Sequence, residues 1–362
     1  MISRSLHSGI FIATATFVAG CFTSAYAEPL PRFPAAAVWY QDVSAAPLHP
    51  QSISMTEGLF SLGGFGFDRF QIDFSNHVVR APAGAPVRSI VPRPGYYSPD
   101  CDLPASLPVP ANAAIEGQSG LSCPEGEDCH LLVVQGNRLY EAYQANESGP
   151  NGLQSQCLVV WELDRVYPPP GRGEHCTSAD AAGFPIAPLL FNADEVFAAI
   201  ATTGDLGHAI RFILPNARMA SEPGNGGVEG RLYVRPATHA GAPSGPAFSV
   251  PYGARLRLRA DFPLTNYSPG AQVVLRTLKR YGMVLADGGN IALTAESDLY
   301  TDHTWAEVGI GSRVFDQTPS ARDVFPSDFQ VIDTGARIPE TYDCVRTVLP
   351  PNDGIIFAND FE

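Results

Sequence analysis

The chain holds 33 prolines and 34 glycines in 362 residues, and nothing else in it limits the fold as strongly. Proline fixes φ and removes a backbone donor, and glycine raises the entropic cost of any regular element, so a sequence rich in both is cut into short segments joined by turns. Long helices are disfavoured and short strands are expected. With 45% hydrophobic and 17% charged residues, the chain still has ample apolar material for a core. The expected fold class is therefore mainly β: a β-sandwich, jelly-roll-like, with two or three short helices.

Residues 1–27, MISRSLHSGIFIATATFVAGCFTSAYA, combine an arginine, an apolar run too short to span a bilayer comfortably, and an Ala-Tyr-Ala cleavage pattern, as in a secretory signal peptide. Val18-Ala19-Gly20-Cys21 also matches a lipobox, so two processing routes stand side by side: cleavage after Ala27, or lipidation of Cys21 with anchoring at the outer membrane. No later segment has transmembrane length. The expected location is secreted or periplasmic. Either route leaves six of the seven cysteines, an even number suited to three disulfides in an oxidising compartment, with connectivity open. A single β-rich domain is expected over 28–345, followed by a Pro-Pro linker and a short acidic-aromatic tail over 346–362.

Within that domain HLLVVQGNRLYEAYQ is the clearest hairpin, with CLVVWELD as the third strand of a meander. A two-residue Gly136-Asn137 turn puts Leu132 opposite Glu141 and His130 opposite Tyr143. Residues 28–125 are expected to form strands and long loops. Asn192 with Glu195 caps a short helix over ADEVFAAIAT, and Ser268-Pro269 opens another that carries Val274, Leu275, Leu278 and Tyr281 on one stripe up to Gly282. Met283–Ala286 leaves it as a strand, with Asp287-Gly288 as a turn signal.

Charge is segregated: residues 205–280 hold ten Lys/Arg against four Asp/Glu inside a chain of net charge -14. In GARLRLRADF, Arg255, Arg257 and Arg259 alternate with Leu256, Leu258 and Ala260, so a strand here lines three guanidinium groups along one face. Such a row either neutralises acidic loops or forms a groove for an anionic ligand, since arginine forks hold carboxylate and sulfate bidentately. Nucleic acid is an improbable partner for an acidic chain without an aromatic-basic motif. GHAIRFIL places His208 with Ile210 and Phe212, and Arg211 on the opposite face. His239, just after a strand, sits where sites commonly lie. Glu141 among apolar neighbours suits general acid work, Asp180 fits either that role or a cap, and Asp287 either that role or the first residue of a turn. Trp161 and Tyr143 offer faces for stacking on a sugar ring.

Nucleophile-elbow, zinc-helix and phosphate-loop motifs are absent. No organic cofactor or catalytic metal is expected; the acidic stretch Asp298 to Asp302, next to His303, is the one place a structural calcium fits, though it lacks EF-hand spacing. The segments TSADAAGFPIAPLLF, GHAIRF, PATHAG, YGARLRLRADF and YGMVLADGGN resemble those of a family of secreted bacterial proteins without a known activity, over about Trp39 to Arg346. The resemblance implies secretion and a shared domain and transfers no catalytic residue. The ending GIIFANDFE is similar to short tails on secreted proteins of some Gram-negative bacteria. Together these readings give the expected function: a carbohydrate-active protein that cleaves an acidic or other polysaccharide, as a glycoside hydrolase or polysaccharide lyase. Its expected catalytic groups are Glu141, Asp180, His208 and Asp287, and its expected substrate-binding groups are Arg211, His239, Arg255, Arg257, Trp161 and Tyr143. The competing class is a non-catalytic envelope protein that binds a glycan or a partner.

Overall fold

Six short strands with both faces covered form the centre of the protein. In the computed structural model, which describes residues 29–103, 106–318 and 321–349, they run in the order Ile72–Asn76, Leu293–Glu296, Ile210–Leu214, Met283–Gly288, Arg255–Leu258 and Phe329–Val331. The first pair and the third with the fourth are parallel, and the remaining neighbours are antiparallel. All four residues of Arg255–Leu258 and of Leu293–Glu296 are buried, as befits strands packed on both sides. The fold is mainly β, with three α-helices and three disulfides among the described residues; the parallel pairs lend no support to a jelly-roll strand order. The signal segment, Cys21 and the tail beyond Leu349 lie outside the described residues.

Immediately after Ile72–Asn76 the chain passes through His77 into Val78–Arg80, the edge of a second sheet completed by Leu131–Gln135, Arg138–Tyr143 and Cys157–Glu162. This is the expected meander, in the expected register, with Leu132 opposite Glu141. A third sheet of Ser106–Pro108, Val87–Pro92, Gly152–Ser155 and Asn146–Ser148 packs a smaller core of Ile90, Leu107, Leu131, Val133 and Leu153. Disulfides join Cys101 to Cys157, Cys123 to Cys129 and Cys176 to Cys344. The last of these fixes the loop after Gly173–Glu174, whose two residues pair with Val345–Arg346.

Three helices cover the sheet. The first, α1 (Ser52–Ser61), falls in a region expected to be strands and loops. Its buried residues Ser52, Met55, Thr56 and Leu59 follow helical spacing, but half of that stripe is hydroxylic, so its apolar periodicity is weak. The second, α2 (Ala193–Ala201), starts at Asn192, whose side chain accepts from the Glu195 N–H at 2.9 Å. The third, α3 (Pro269–Arg280), starts at Ser268 and buries Val274, Leu275 and Leu278.

Two arginines of the row, Arg255 and Arg257, lie against this scaffold rather than in solvent, while Arg259 is exposed. Arg255, 3% exposed, donates to the carbonyls of Tyr281, Val38 and Gln41 at 2.8, 3.0 and 2.9 Å. Arg257 donates to the carbonyls of Val43 and Ser44 at 2.5 and 2.6 Å and to Gln330 Oε1. Arg259 pairs with Asp261. The leucines face the core as expected, while the guanidinium groups of Arg255 and Arg257 clamp the main chain of residues 38–44 onto the sheet. The Arg255→Ala variant leaves those buried carbonyls unpaired, so it is expected to lose about 3 kcal/mol of stability. Denaturant midpoints check the loss, and limited proteolysis within residues 38–44 checks that the clamp has opened.

Candidate active site

The described residues line a cleft of ≈ 690 Å³ where the meander, the loop after Cys176, the His239 loop and the end of Met283–Gly288 converge. A β-bulge positions its central carboxylate. Phe212 pairs with Leu285, but Ile213 pairs with Asp287, so Ala286 is the extra residue. Without the bulge Asp287 would share the core face of Leu285; with it, Asp287 joins the face of Arg211 and Ile213. Asp287 is thus a strand residue, and its carboxylate accepts from Gly288 N–H at 2.7 Å and Ala181 N–H at 3.3 Å.

The loop around Asp180 docks on the same bulge. Ala182 N–H donates to the Ala286 carbonyl at 2.8 Å, and Thr238 N–H donates to the Ala182 carbonyl at 3.0 Å. At Gly183, with φ of 77°, a Cβ would stand 2.1 Å from Thr238 Oγ1, so only glycine permits this approach. The loop brings Asp180 under the cleft, where Oδ2 accepts from Arg211 Nε at 3.0 Å. Arg211 also donates to Thr294 Oγ1 at 2.9 Å and reaches to 4.0 Å from Asp287. Asp180 Oδ1 is buried without a hydrogen-bond partner among the described residues. Burial pushes the Asp180 carboxyl up to about 7 against the pull of Arg211, with Asp287 adding to the rise. Burial likewise raises Asp287, opposed first by Arg211. Asp287 keeps 28% of its side chain open, so of the two it is the one a ligand can reach.

A second buried pair supports the first. His130 Nδ1 lies 2.7 Å from Glu116 Oε2 and Nε2 lies 3.1 Å from the Ala179 carbonyl. Both ring nitrogens meet acceptors, which requires the doubly protonated ring. Burial opposes that charge, but Glu116 outweighs it and pushes His130 up to about 9. Across the cleft, His239 donates Nδ1–H to the Ala181 carbonyl at 2.6 Å, which leaves Nε2 as the acceptor nitrogen. Tyr143, raised to about 12 by burial and then by Asp128, forms a wall with Tyr97 at 6.5 Å between ring centroids.

Three expected site residues, Asp287, His239 and Tyr143, line this cleft, and two more, Asp180 and Arg211, lie directly behind it. The other five lie elsewhere. Glu141 is buried and holds three donors: Ile186 N–H at 2.8 Å, Ala187 N–H at 2.9 Å and Trp161 Nε1–H at 2.9 Å. Burial raises it to about 7 in spite of them; it tethers the meander to the 184–190 segment and meets no solvent. Trp161 packs edge-on against Phe33 and Tyr167 and lines a separate apolar hollow. His208 is 1% exposed, with Nδ1 at 2.8 Å from the Ala209 carbonyl and Nε2 at 2.7 Å from Arg32. Burial and then Arg32 lower its pKa well below the ordinary value, so it is a neutral anchor for Arg32 and orients neither Glu141 nor Asp180. Arg255 and Arg257 are occupied by the 38–44 segment. The Asp298 to Asp302 stretch accepts and donates locally, Asp302 and His303 N–H both reaching Asp194, and among the described residues no three ligating side chains gather to hold a metal ion.

Residues missed from the sequence are Asp100, Asp128, Arg231, Tyr252 and Tyr342. Only Tyr252, in the PYGARLR segment, carried a signal, by its nearness to the arginine row. No family model, curated protein or solved structure matches the chain. Among the described residues no helix is long and apolar enough to cross a membrane.

The raised His130 has a consequence for stability. A histidine whose folded value stands above the unfolded value of about 6.5 stabilises fully below that pH and loses its contribution as pH rises through about 9. Asp180, raised to about 7, gives the same slope at lower pH, because its folded form also holds the extra proton. Unfolding free energy is expected to fall by about 2 kcal/mol between pH 6.5 and pH 9.5. In His130→Gln most of that decline is expected to disappear, on top of a lower baseline, leaving the part that Asp180 contributes near pH 7. Urea titrations of both proteins at the two pH values check this.

Proposed function

We propose that this is a secreted glycan-cleaving protein that hydrolyses glycosidic bonds in the tyrosine-walled cleft. The observation that carries the reading is Asp287: a carboxyl with a raised pKa, open to a cleft, backed by Arg211 and Asp180, and faced by a histidine with a free acceptor nitrogen. Raised carboxyls serve as general acids near neutral pH. In the proposed step Asp287 gives its proton to the leaving glycosidic oxygen as the anomeric C–O bond breaks. Nε2 of His239 takes a proton from the water whose oxygen forms the new bond to that carbon. Tyr97 and Tyr143 supply faces for sugar rings. The disulfides and the resemblance to secreted bacterial proteins support an extracytoplasmic location.

Arginine plays a smaller part than the sequence suggested. All ten cations of residues 205–280 have protein partners, from Arg218 on the carbonyls of Gly63 to Phe65 to Arg276 on Gly204 and Lys279 on Ala260 and Phe262.

The test follows reducing ends released from a glycan panel. Asp287→Asn, which keeps an acceptor oxygen for the shorter bond from Gly288 N–H and gives up the longer one from Ala181, is expected to lower turnover by about 100-fold or more with the fold intact. Glu141→Gln is expected to cost about 1–3 kcal/mol of stability, because its amide then faces the Trp161 donor, while turnover of the folded fraction persists. Release that survives Asp287→Asn, or its absence with every glycan, overturns the catalytic reading. Retention of glycans without release favours the binding-protein class.

A further inference from the structure

We infer that the glycan accepted by this cleft carries free amino groups and is bound as a cation, not as a uronate. The inference rests on the glycan reading above and names the substrate class of the same site.

It begins with the ionisable groups on the cleft wall: Asp100, Asp128, Asp287, Arg231 and His239. Arg231 is already neutralised, since it pairs with Glu229 and donates to the Gly241 carbonyl and the Tyr342 hydroxyl. His239 spends its Nδ1–H on the Ala181 carbonyl. Behind the wall, Arg211 faces Asp180 and His130 faces Glu116, one carboxyl to each cation, and Asp73 adds a further carboxyl beside Ser75. Arg172 and Arg346 reach the main-chain carbonyl of Asp100, but both pair with Asp102 and line a different hollow. Asp100 and Asp128 thus face a ligand beside the Asp287 acid, with no free guanidinium to hold an anion. A uronate entering here would meet like charge, whereas an ammonium would not.

A second, independent feature points to a donor-rich ligand. Tyr252 lines the cleft while only 1% exposed, and its hydroxyl has no hydrogen-bond partner among the described residues. The hydroxyl stands in the field of Asp287 and Asp180, which together with burial keep it protonated. A Cβ at Gly241 would come within 2.8 Å of it, so glycine there keeps the hydroxyl accessible. A phenol oxygen near the Asp287 carboxyl oxygen is an acceptor pair for an ammonium, which has three donors and no acceptor. The ring faces of Tyr97 and Tyr143 add cation–π attraction for the same group.

The experiment uses the full chain carrying His239→Asn, which removes the proposed base but keeps every wall carboxyl, so that oligomers stay whole, and measures binding by calorimetry in low and in physiological salt. Linkage-matched short oligomers serve as probes: β-1,4 glucosamine against β-1,4 glucose and β-1,4 N-acetylglucosamine, and α-1,4 galactosamine against α-1,4 galacturonate. Cleavage of the same oligomers by the unmodified protein is followed in parallel. At low salt the amino sugar is expected to bind at least tenfold more tightly than its matched neutral or anionic partner, with the advantage shrinking severalfold as salt rises. Asp128→Asn and Tyr252→Phe are each expected to reduce that advantage severalfold, while Glu57→Gln, on exposed α1, leaves it in place. If Glu57→Gln reduces it as much as the cleft variants do, the attraction belongs to the acidic surface at large and the inference fails. Neutral or uronate oligomers that are cleaved and bound as tightly as amino sugars overturn the inference and keep the glycan reading. Neither binding nor cleavage of any oligomer overturns both.

Discussion

The guanidinium of Arg211 joins the parts that make the cleft. It projects from a central strand that any α/β or all-β core could contain, yet it reaches Asp180 on one loop, Thr294 on a neighbouring strand and Asp287 at a bulge. A buried cation tolerates no missing partner, so these three segments are fixed relative to one another by the cost of leaving it bare. The bulge at Ala286 then does what a regular strand could not: it turns Asp287 onto the arginine's face while its own carbonyl anchors the Asp180 loop.

Across the molecule arginine acts mainly as a connector of main chain. Arg255, Arg257 and Arg218 together take carbonyls from residues 38–44 and 63–65, segments that lie outside the strands. Five donors in a planar fork can satisfy several carbonyls at once, which lysine cannot do. The charge segregation that suggests an anion groove is therefore the footprint of long loops held to a sheet. It also leaves the cleft to carboxylates and tyrosines.

The two halves of the molecule were unequally legible. The meander, its register and the caps of α2 and α3 depend on contacts between residues close in sequence, and each follows from turn residues and spacing. The mixed order of the central sheet depends on pairings such as Ile72 with Leu293 and Leu256 with Val331, which no local signal encodes. For α1 the stripe is present but its hydroxyls hide it from an apolar count.

Local sequence by itself determined that the protein would be mainly β, short-stranded and disulfide-bonded, because proline, glycine and cysteine act through backbone freedom and covalent chemistry wherever they stand. It also marked Asp180, Arg211, His239 and Asp287 as chemically capable. Which capable residues meet was decided only by the tertiary structure. Glu141 and His208 have the right chemistry but face donors inside the core, and Arg255 and Arg257 face carbonyls. The pKa of a carboxyl and the sign of a cleft are set by burial and by neighbours distant in the chain, and those exist only once the chain has folded.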